Sequence, residues 1–561
     1  MPEKPRPLPP ALIAAALAVC AAAGLLALTG ALPYSWDEGD TFGRVAKADR
    51  WFGSLCTRPL AESFDKEQLR KSFPGVVTVE GHPCGYVLTI AAGERISRGW
   101  LDPRRARRFG PILLFAAALG VVFYRLAREI SSAAGFFSIA AILLIPGVFV
   151  HAQLAFCDSV LLSFWLIAWG AFFPALKKRR CAALFGLALG ACAAAKATGL
   201  IAAATLLPLY AVVLTRRRGF RRAIFSTALA LVCAAAVFFA INPPLWHDPI
   251  AGVSRFVYLN THRESYNIAI EFLGRRADLT HPLPWWNTLF WLAVTVPPGL
   301  LAAFLLAPAR ERRTKGAGPL YLAIFCALTL LAVRAFPRLP VHDGTRLFIA
   351  AFPFAGIAAG CALARLYERG GARRAASLVI LICSLYGPIL YFPNGLSYYN
   401  ALIGGVGGAE ARGMEPTYYW DCLGGGVLEW LNDHTADDEA VLFAPFSTAT
   451  LDLYRQDGKL TANWMTLQRL RDAAARKKAG EEVSIPRFRW YVLQSRVGAY
   501  SPIDKKLLAD KSPVLTVRVG AGPLGEPGAV VLRIYRFSDL GIRLPGESAS
   551  ESAEPAAPAA R

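Results

Sequence analysis

The stretch LPYSWDEGD, residues 32–40, follows directly on the first long apolar run of the chain. Tyr34 and Trp36 stand where a helix would leave the bilayer, at the depth that amphipathic aromatic side chains favour. Two adjacent carboxylates, Asp37 and Glu38, come next, and the apolar helix before them gives them no structural task. The stretch therefore predicts a membrane helix that leads into a chemical centre, although a solvated turn would also carry two carboxylates.

The composition is that of a polytopic α-helical membrane protein. The chain has 561 residues, of which 55% are hydrophobic and 18% charged, and its mean hydropathy is +0.38. Its apolar residues come in long blocks, several of which reach or approach the roughly 20 residues that cross a bilayer. The net charge of +21 falls largely in short clusters between these blocks. It therefore indicates membrane orientation and anionic headgroups rather than nucleic acid.

The apolar runs predict about eleven transmembrane helices. They lie at residues 11–32, 109–127, 133–150, 158–176, 181–195, 199–215, 223–241, 287–307, 318–333, 347–365 and 375–393. No small-x-small cleavage site precedes Pro33, so the first run is predicted as an uncleaved helix. Residues 11–393 are expected to form the membrane domain, with a long first outer loop at 33–108 and an unstructured N-terminus at 1–10.

Short basic clusters decide the predicted orientation. With the N-terminus in the cytoplasm, every even-to-odd connection is short and basic, as the positive-inside rule requires. Four arginines before the second helix run against this rule, which long loops obey poorly: Arg104, Arg105, Arg107 and Arg108. At the outer headgroup level they would bind either a phosphate or ordinary anionic lipid. The predicted location is the inner (plasma) membrane.

Beyond the last apolar run the composition changes, and residues 394–545 predict a soluble α/β domain on the outer, periplasmic face. Four strand-like patches occur, at Ala440–Phe443, Trp490–Leu493, Val514–Val519 and Ala529–Tyr535. Helical patterns at Gly426–Asn432 and Thr466–Lys477 lie among them. The Ala/Pro/Ser/Glu-rich tail, residues 546–561, is predicted to be disordered.

Two ionisable residues lie at membrane depth, Asp158 at the start of the fourth run and Lys196 inside an apolar stretch. Such residues are rare in membranes, and a functional role is the first hypothesis. Two structural alternatives stay open from the sequence. Lys196 could extend its ammonium to the interface, and Asp158 could cap a helix.

All seven histidines fall on the predicted outer side or at its boundary. Their spacing matches no metal motif, so hydrogen bonding to the protein or to a substrate is favoured over metal ligation. The eleven cysteines include no CxxC pair. Cys56 and Cys84 share the first outer loop, where a disulfide and two free thiols both fit the sequence.

A carboxylate at the lipid–water boundary beside cations suggests one type of reaction. A hydroxyl or amine acceptor arrives from the aqueous side, and the carboxylate accepts its proton. A phosphate-linked donor, held in the bilayer by its lipid tail, loses its sugar while cations stabilise the departing phosphate.

Six ordered segments resemble those of one family. They are YSWDE at 34–38, GHPCGY at 81–86, FCDSVLL at 156–162, the Gly-rich 190–199 with Lys196, NPPLWHDP at 242–249, and DGTRLF at 343–348 followed by Pro353. Together they resemble the membrane-embedded GT-C glycosyltransferases of the protein O-mannosyltransferase/ArnT-like superfamily (glycosyltransferase family 39-like). Cys84 replaces the second Pro of the family's His-Pro-Pro segment, which puts the role of that segment in doubt.

The resemblance implies a polytopic GT-C fold and an inverting transfer from a polyprenyl-phosphate sugar on the periplasmic side. By the match, Asp37 would act as the general base or orient the acceptor, and Glu38 would support it. The remaining implied site residues are Lys196, Arg346 and Arg108 for the donor phosphate, and Asp158, His82 and His247 for the cavity lining.

The implied partners are the lipid-linked sugar donor, membrane lipids and an acceptor that is a protein, a lipid or a cell-wall glycan. No metal ligand is predicted, and the paired carboxylates leave a divalent metal open. A second hypothesis is a transporter or flippase of a lipid-linked glycan. It would predict internal symmetry, and the sequence shows no internal repeat.

Overall fold

The computed structural model describes residues 8–78, 80–262, 268–307, 317–337, 339–419, 422–523, 525 and 527–541. The predicted disordered tail, 546–561, lies outside this part of the chain, as does most of the predicted unstructured N-terminus, 1–10. Pro10, the last residue of that N-terminal segment, already begins a helix.

The first apolar run forms one helix, and the first outer loop folds into four more. In chain order these helices are α1 (Pro10–Thr29), α2 (Trp36–Thr57), α3 (Leu60–Ser63), α4 (Lys66–Ser72) and α5 (Gly85–Ser97). Ser35 and Glu38 form a capping box at the start of α2, in which the Glu38 carboxylate accepts from the Ser35 backbone N–H at 3.0 Å. Asp37 and Glu38 thus lie in the first turn of a helix, where the helix dipole favours carboxylates.

Seven helices follow in the first half of the membrane domain. They are α6 (Pro103–Glu129), α7 (Ser132–Leu143), α8 (Pro146–His151), α9 (Cys157–Lys177), α10 (Arg180–Ala195), α11 (Gly199–Arg218) and α12 (Phe220–Ile241). Pro146 separates α7 from α8 because its ring suits the first turn of a helix but not the interior. The residues after α8 and after α10 leave the helical path and carry Asp158 and Lys196 toward each other.

The second half begins with an outer loop and continues with further apolar helices. Its elements are α13 (Pro249–Thr261), the hairpin β1 (Ile270–Phe272) and β2 (Arg275–Ala277), α14 (Asn287–Thr295), α15 (Pro298–Leu306), α16 (Gly318–Arg334), a 3₁₀ turn (Arg346–Ala351), α17 (Phe352–Glu368), α18 (Gly371–Ser384) and α19 (Tyr386–Tyr391).

The described part of the chain has seven helical stretches long and apolar enough to cross a membrane. They are Pro10–Thr29, Pro103–Glu129, Cys157–Lys177, Gly199–Arg218, Phe220–Ile241, Arg346–Glu368 and Gly371–Tyr391. Three of the other predicted runs form shorter apolar helices, α7, α10 and α16. The remaining run, 287–307, is broken between α14 and α15 at Pro297–Pro298. The predicted polytopic α-helical architecture is confirmed, and prolines interrupt two of the predicted runs, 133–150 at Pro146 and 287–307 at Pro297–Pro298.

Glycines bring the membrane helices into close contact at two places. Gly356 and Gly360 lie one turn apart on α17, where a Cβ would run into α7. Gly186 and Gly190 have the same spacing on α10, where a Cβ would overlap the backbone of α12. Helices in lipid associate through such small-xxx-small faces, because their backbones can then approach closely.

The C-terminal region forms a five-stranded mixed sheet flanked by helices. Its elements are α20 (Gly405–Glu410), α21 (Gly425–Asp433), β3 (Glu439–Ala444), α22 (Thr448–Gln456), β4 (Asn463–Thr466), α23 (Leu467–Lys478), β5 (Arg487–Gln494), α24 (Pro502–Asp510), β6 (Leu515–Ala521) and β7 (Pro527–Arg536). The strand order is β4-β3-β5-β7-β6, with β3 parallel to β4 and β5, and β7 antiparallel to β5 and β6. All four predicted strand patches are strands, and β4 is an additional one.

Candidate active site

The Arg346 guanidinium lies at the centre of a charged cluster at one end of the membrane helices. It donates to the carboxylate of Asp37, to Asp158 Oδ2 from Nε at 3.2 Å and to Asp343 Oδ2 from Nη1 at 2.5 Å. Arg346 opens the 3₁₀ turn before α17 and is 8% exposed. One side chain thereby joins three segments that are far apart in the sequence.

Lys196 completes this cluster from a fourth segment. Its Nζ donates to Asp158 Oδ1 at 2.6 Å, and both side chains are buried. Lys196 lies in extended backbone between α10 and α11. Its ammonium does not reach out to the lipid headgroups, because it is buried on Asp158. Asp158 lies inside the first turn of α9, where Phe156 is the N-cap residue. Both structural alternatives left open by the sequence therefore do not apply, and the two residues form a buried ion pair.

Asp37 is the carboxylate of the cluster that reaches open space. Its side chain is 33% exposed, compared with 3% for Asp158 and 4% for Asp343. A group that exchanges a proton with a substrate must be reachable from the solvent side. Among these three carboxylates, Asp37 meets this requirement.

Glu38 and Arg108 form a completely buried pair beside the cluster. Arg108 donates to both carboxylate oxygens of Glu38, at 2.8 and 2.6 Å, and to the carbonyls of Thr29, Leu32 and Pro33. Both side chains have 0% exposure. The phosphate-binding role predicted for Arg108 does not fit this placement, because its donors already hold the end of α1 and the start of α2.

Aromatic rings and a histidine surround the cluster. The Tyr419 ring lies 4.5 Å from the Arg346 guanidinium carbon, and the His151 ring is stacked on Tyr419. The Phe156 ring lies 5.6 Å from the same guanidinium carbon. Next to them opens a cleft with about 510 Å³ of empty space, including the part open to solvent.

The structure does not bring His82 and His247 into this cluster. His82 Nε2 lies 2.9 Å from Glu80, which also pairs with Arg44 at 3.0 Å. Burial raises the pKa of Glu80, but the opposing effect of His82 and Arg44 is larger and holds it well below its usual range. The exposed His247 hydrogen-bonds the carbonyl of Phe64. Both histidines therefore stabilise the first outer loop, and neither matches its predicted place in the cavity lining.

The structure also bears on the disulfide and the metal site that the sequence left open. Cys56 is exposed, Cys84 is buried, and both are free thiols. Among the described residues, no group of three or more His, Cys, Asp or Glu side chains is placed to hold a metal ion. Within the cluster the carboxylates pair with Arg346, and Asp158 pairs with Lys196 as well.

The sequence did not single out three of the residues at the site. Asp343, His151 and Tyr419 all lie against the cluster. Asp343 had one local signal, because it stands three residues before Arg346, and in the structure its φ of 65° and that of Gly344, 56°, turn the chain sharply there. His151 and Tyr419 had no comparable signal, because both are brought in by tertiary folding.

The C-terminal domain also contacts the first turn of α2. Thr450 of α22 donates to the carbonyl of Trp36 at 2.8 Å, and the hydroxyl of Tyr454 accepts from the Tyr34 backbone N–H at 2.8 Å. The Tyr34 hydroxyl donates to Asp457 at 2.6 Å. Burial raises the pKa of Tyr34 to about 12, so it remains a donor at neutral pH.

Comparison with protein-family models gives no match, and comparison with curated protein sequences gives no significant match. Solved structures do match. ArnT from Cupriavidus metallidurans bound to undecaprenyl phosphate superposes with a TM-score of 0.50 and 14% identity, over 95% of this chain and 99% of that chain. The chain has the GT-C fold.

Two further GT-C structures match less completely. The arabinofuranosyltransferase AftD from Mycobacteria has a TM-score of 0.42 and 15% identity, over 92% of this chain and 39% of that chain. The oligosaccharyltransferase of Archaeoglobus fulgidus has a TM-score of 0.42 and 11% identity, over 86% of this chain and 69% of that chain. In this GT-C fold the Arg346 cluster lies at the junction of the membrane helices and the C-terminal domain.

Proposed function

We propose that this protein is an integral-membrane glycosyltransferase that moves a sugar from a polyprenyl-phosphate donor to an acceptor on the outer side of the membrane. The observation that carries the proposal is the Arg346 cluster, in which one open carboxylate and two buried cations meet at the outer ends of the helices. The match to ArnT bound to undecaprenyl phosphate supports the donor class.

Asp37 is the proposed general base. The acceptor approaches from the open side of the cluster, and Asp37 takes the proton of its hydroxyl or amine as the new bond to the anomeric carbon forms. The bond from the anomeric carbon to the phosphate oxygen breaks on the opposite face, and the polyprenyl phosphate leaves with the electron pair. A single displacement of this kind inverts the anomeric configuration.

Arg346 and Lys196 are the proposed ligands of the donor phosphate. Preorganised cations stabilise the negative charge that develops on a leaving phosphate, and burial strengthens the interaction. The phosphate would replace Asp37 on Arg346, which frees the Asp37 carboxylate to accept a proton. Asp158 and Asp343 hold Arg346 in place during this exchange.

Glu38 and Arg108 are proposed as positioning residues. The Glu38 carboxylate also accepts from the backbone N–H of Ala155 at 3.0 Å. It therefore links the first turn of α2 to the segment that precedes Asp158. This link fixes the distance between Asp37 and the rest of the cluster.

The test is sugar transfer by the purified full-length protein, supplied with radiolabelled polyprenyl-phosphate sugars and a membrane extract. We expect label to move to an acceptor with the wild type, and Asp37→Asn to lower the rate by about 10²–10⁴-fold, as for the loss of a general base. Asp40→Asn is the matched control, because Asp40 lies on the same helix and is exposed.

The outcomes separate the site from the function. Unchanged transfer by Asp37→Asn would support the glycosyltransferase activity but show that Asp37 is not its general base. Movement of intact lipid-linked sugar across a vesicle membrane, without transfer to any acceptor, would instead establish the transporter.

A further inference from the structure

The cleft beside Arg346 has an aromatic wall. The rings of Trp291, Tyr398, Tyr399, Tyr418 and Tyr419 line it, and we call it the aromatic cleft. Asp343 and Arg346 lie at its charged end, so the cleft opens directly from the proposed phosphate site. Aromatic rings with a few convergent polar groups are the usual lining of small-ligand sites.

Three buried polar atoms on the residues of this cleft have no hydrogen-bond partner within the described part of the protein. They are His151 Nε2, Asp343 Oδ1 and the Tyr419 hydroxyl. The three residues are between 1% and 5% exposed. An unpaired buried polar atom costs about 1–3 kcal/mol, and three of them around one cleft indicate a site that is completed by a ligand.

The chemistry of these atoms restricts the ligand. His151 Nδ1 lies 2.6 Å from the Gly147 carbonyl, which can only accept, so Nδ1 carries the proton and Nε2 of the neutral ring is an acceptor. Asp343 Oδ1 is an acceptor as well, because the carboxylate pairs with Arg346 through its other oxygen. Only the Tyr419 hydroxyl can both donate and accept. The ligand group that enters must therefore be rich in donors.

We propose that the aromatic cleft binds the sugar ring of the donor through hydroxyl or ammonium groups and selects against sugars that carry a carboxylate. This inference rests on the proposed function and specifies the substrate class of the same site. A uronic acid would place its carboxylate against the Asp343 carboxylate and the acceptor nitrogen of His151. The Arg346 guanidinium there is already engaged by carboxylates, so the single Tyr419 hydroxyl would be left to compensate the added charge. A neutral or amino sugar supplies donors to all three atoms.

The experiment measures binding to full-length protein in nanodiscs at pH 7. The probes are undecaprenyl phosphate alone and undecaprenyl phosphate carrying glucose, glucosamine or glucuronic acid, together with a neutral and an amino pentose. We expect at least one neutral or amino sugar to bind about tenfold more tightly than undecaprenyl phosphate alone, and the glucuronic acid probe to bind no more tightly than it.

The variant Tyr419→Phe removes one hydroxyl and keeps the ring under Arg346. We expect it to lower the affinity for the sugar-bearing probe by roughly three- to tenfold, the effect of one hydrogen bond. The affinity for undecaprenyl phosphate alone should not change. Tyr321→Phe is the control, because Tyr321 lies exposed on α16, 39% accessible. A folded variant is recognised by unchanged undecaprenyl phosphate binding.

Three results of these binding measurements would contradict the proposal. Equal binding of undecaprenyl phosphate with and without every sugar would overturn the proposed sugar site, because water alone would then satisfy the three atoms. The proposed function would still stand. Tightest binding of the glucuronic acid probe would overturn the selection. No binding of any probe, including undecaprenyl phosphate, would overturn both the cleft and the donor class.

Discussion

Arg346 is the residue on which the charged cluster depends. Its planar guanidinium donates in three directions at once, to Asp37, Asp158 and Asp343. A buried charge network is stable only when each member is paired, because an uncompensated charge costs several kcal/mol. Lys196 is not an equivalent cation, because its ammonium is a compact point charge that pairs with one carboxylate, Asp158, among the described residues.

The substitution Arg346→Lys keeps the charge and removes the three-way geometry. We expect sugar transfer to fall by about 10²-fold or more, as for the loss of a preorganised donor, with weaker donor binding. Steady-state kinetics and donor affinity measure this. Arg469→Lys is the control, since the Arg469 pair with Asp452 is largely exposed. Wild-type kinetics in Arg346→Lys would mean that charge alone suffices at this position.

Glu80 provides a pH-dependent prediction in the first outer loop. Its pKa is lowered in the folded protein, so its stabilising effect is present above the ordinary value of 4.5 and is lost as the pH falls below it. We expect Glu80→Gln to lower the melting temperature at pH 7 and to do so less at pH 3. Glu67→Gln, at an exposed pair with Lys71, should change little at either pH. A deficit that is the same at both values would contradict the ionic role of Glu80.

At the scale of elements, the first turn of α2 is held between the membrane helices and the C-terminal domain. Arg108 of α6 binds Glu38 from one side, and Thr450 and Tyr454 of α22 bind the backbone around Trp36 from the other. Gly39 permits this contact, because a Cβ there would overlap the backbone of α22 at Thr450. The C-terminal domain therefore contributes to the position of Asp37.

Two glycines of α2 test this docking as a matched pair. Gly39→Ala should push α22 away, lower the melting temperature and reduce transfer activity, because the clash is with backbone and cannot be relieved by a side-chain rotation. Gly43→Ala lies one turn on, with nothing within 4 Å of the added Cβ. It should be neutral or stabilise the helix by up to about 1 kcal/mol. Equal effects of the two substitutions would show that the contact with α22 does not constrain α2.

At the scale of the whole molecule, the cluster, the first outer loop and the C-terminal domain lie on one side of the membrane helices. The basic clusters between α9 and α10 and between α11 and α12 lie at the opposite helix ends. The positive-inside rule assigns those ends to the cytoplasm. We therefore propose that the site faces the periplasm, where the lipid-linked donor and the acceptor would meet.

Cysteine labelling in intact spheroplasts measures this orientation. In a variant that keeps Cys56 as its single cysteine, a membrane-impermeant maleimide should label the protein, because Cys56 is exposed in the first outer loop. A single cysteine at Arg217→Cys, in the exposed last turn of α11, should react only after the membrane is permeabilised. The reverse pattern would place the N-terminus and the site on opposite sides from those proposed.

The sequence by itself determined the helical membrane architecture and the residue types of the site. Apolar runs with Pro and Gly at their ends specify local helices, because helical hydrogen bonds form within each segment and depend little on what lies around them. Asp158 and Lys196 stood out because ionisable side chains are costly at membrane depth. Asp37 stood out as part of a carboxylate pair directly after an apolar run, and Arg346 through the resemblance of its segment to the GT-C family. The four strand patches were also visible in the alternation of the C-terminal region.

Only the tertiary structure decided which side chains meet. Arg346 and Asp37 are 309 positions apart in the chain, and no local pattern records that distance. No local pattern shows that Arg108 forms a buried pair with Glu38, or that Tyr419 lies over Arg346. Nor does one show that His82 and His247 contact residues of the first outer loop instead of the cluster. The reason is physical: a buried charge takes its partner from whatever segment the packing of the helices brings within hydrogen-bond reach, and that packing is a property of the whole fold.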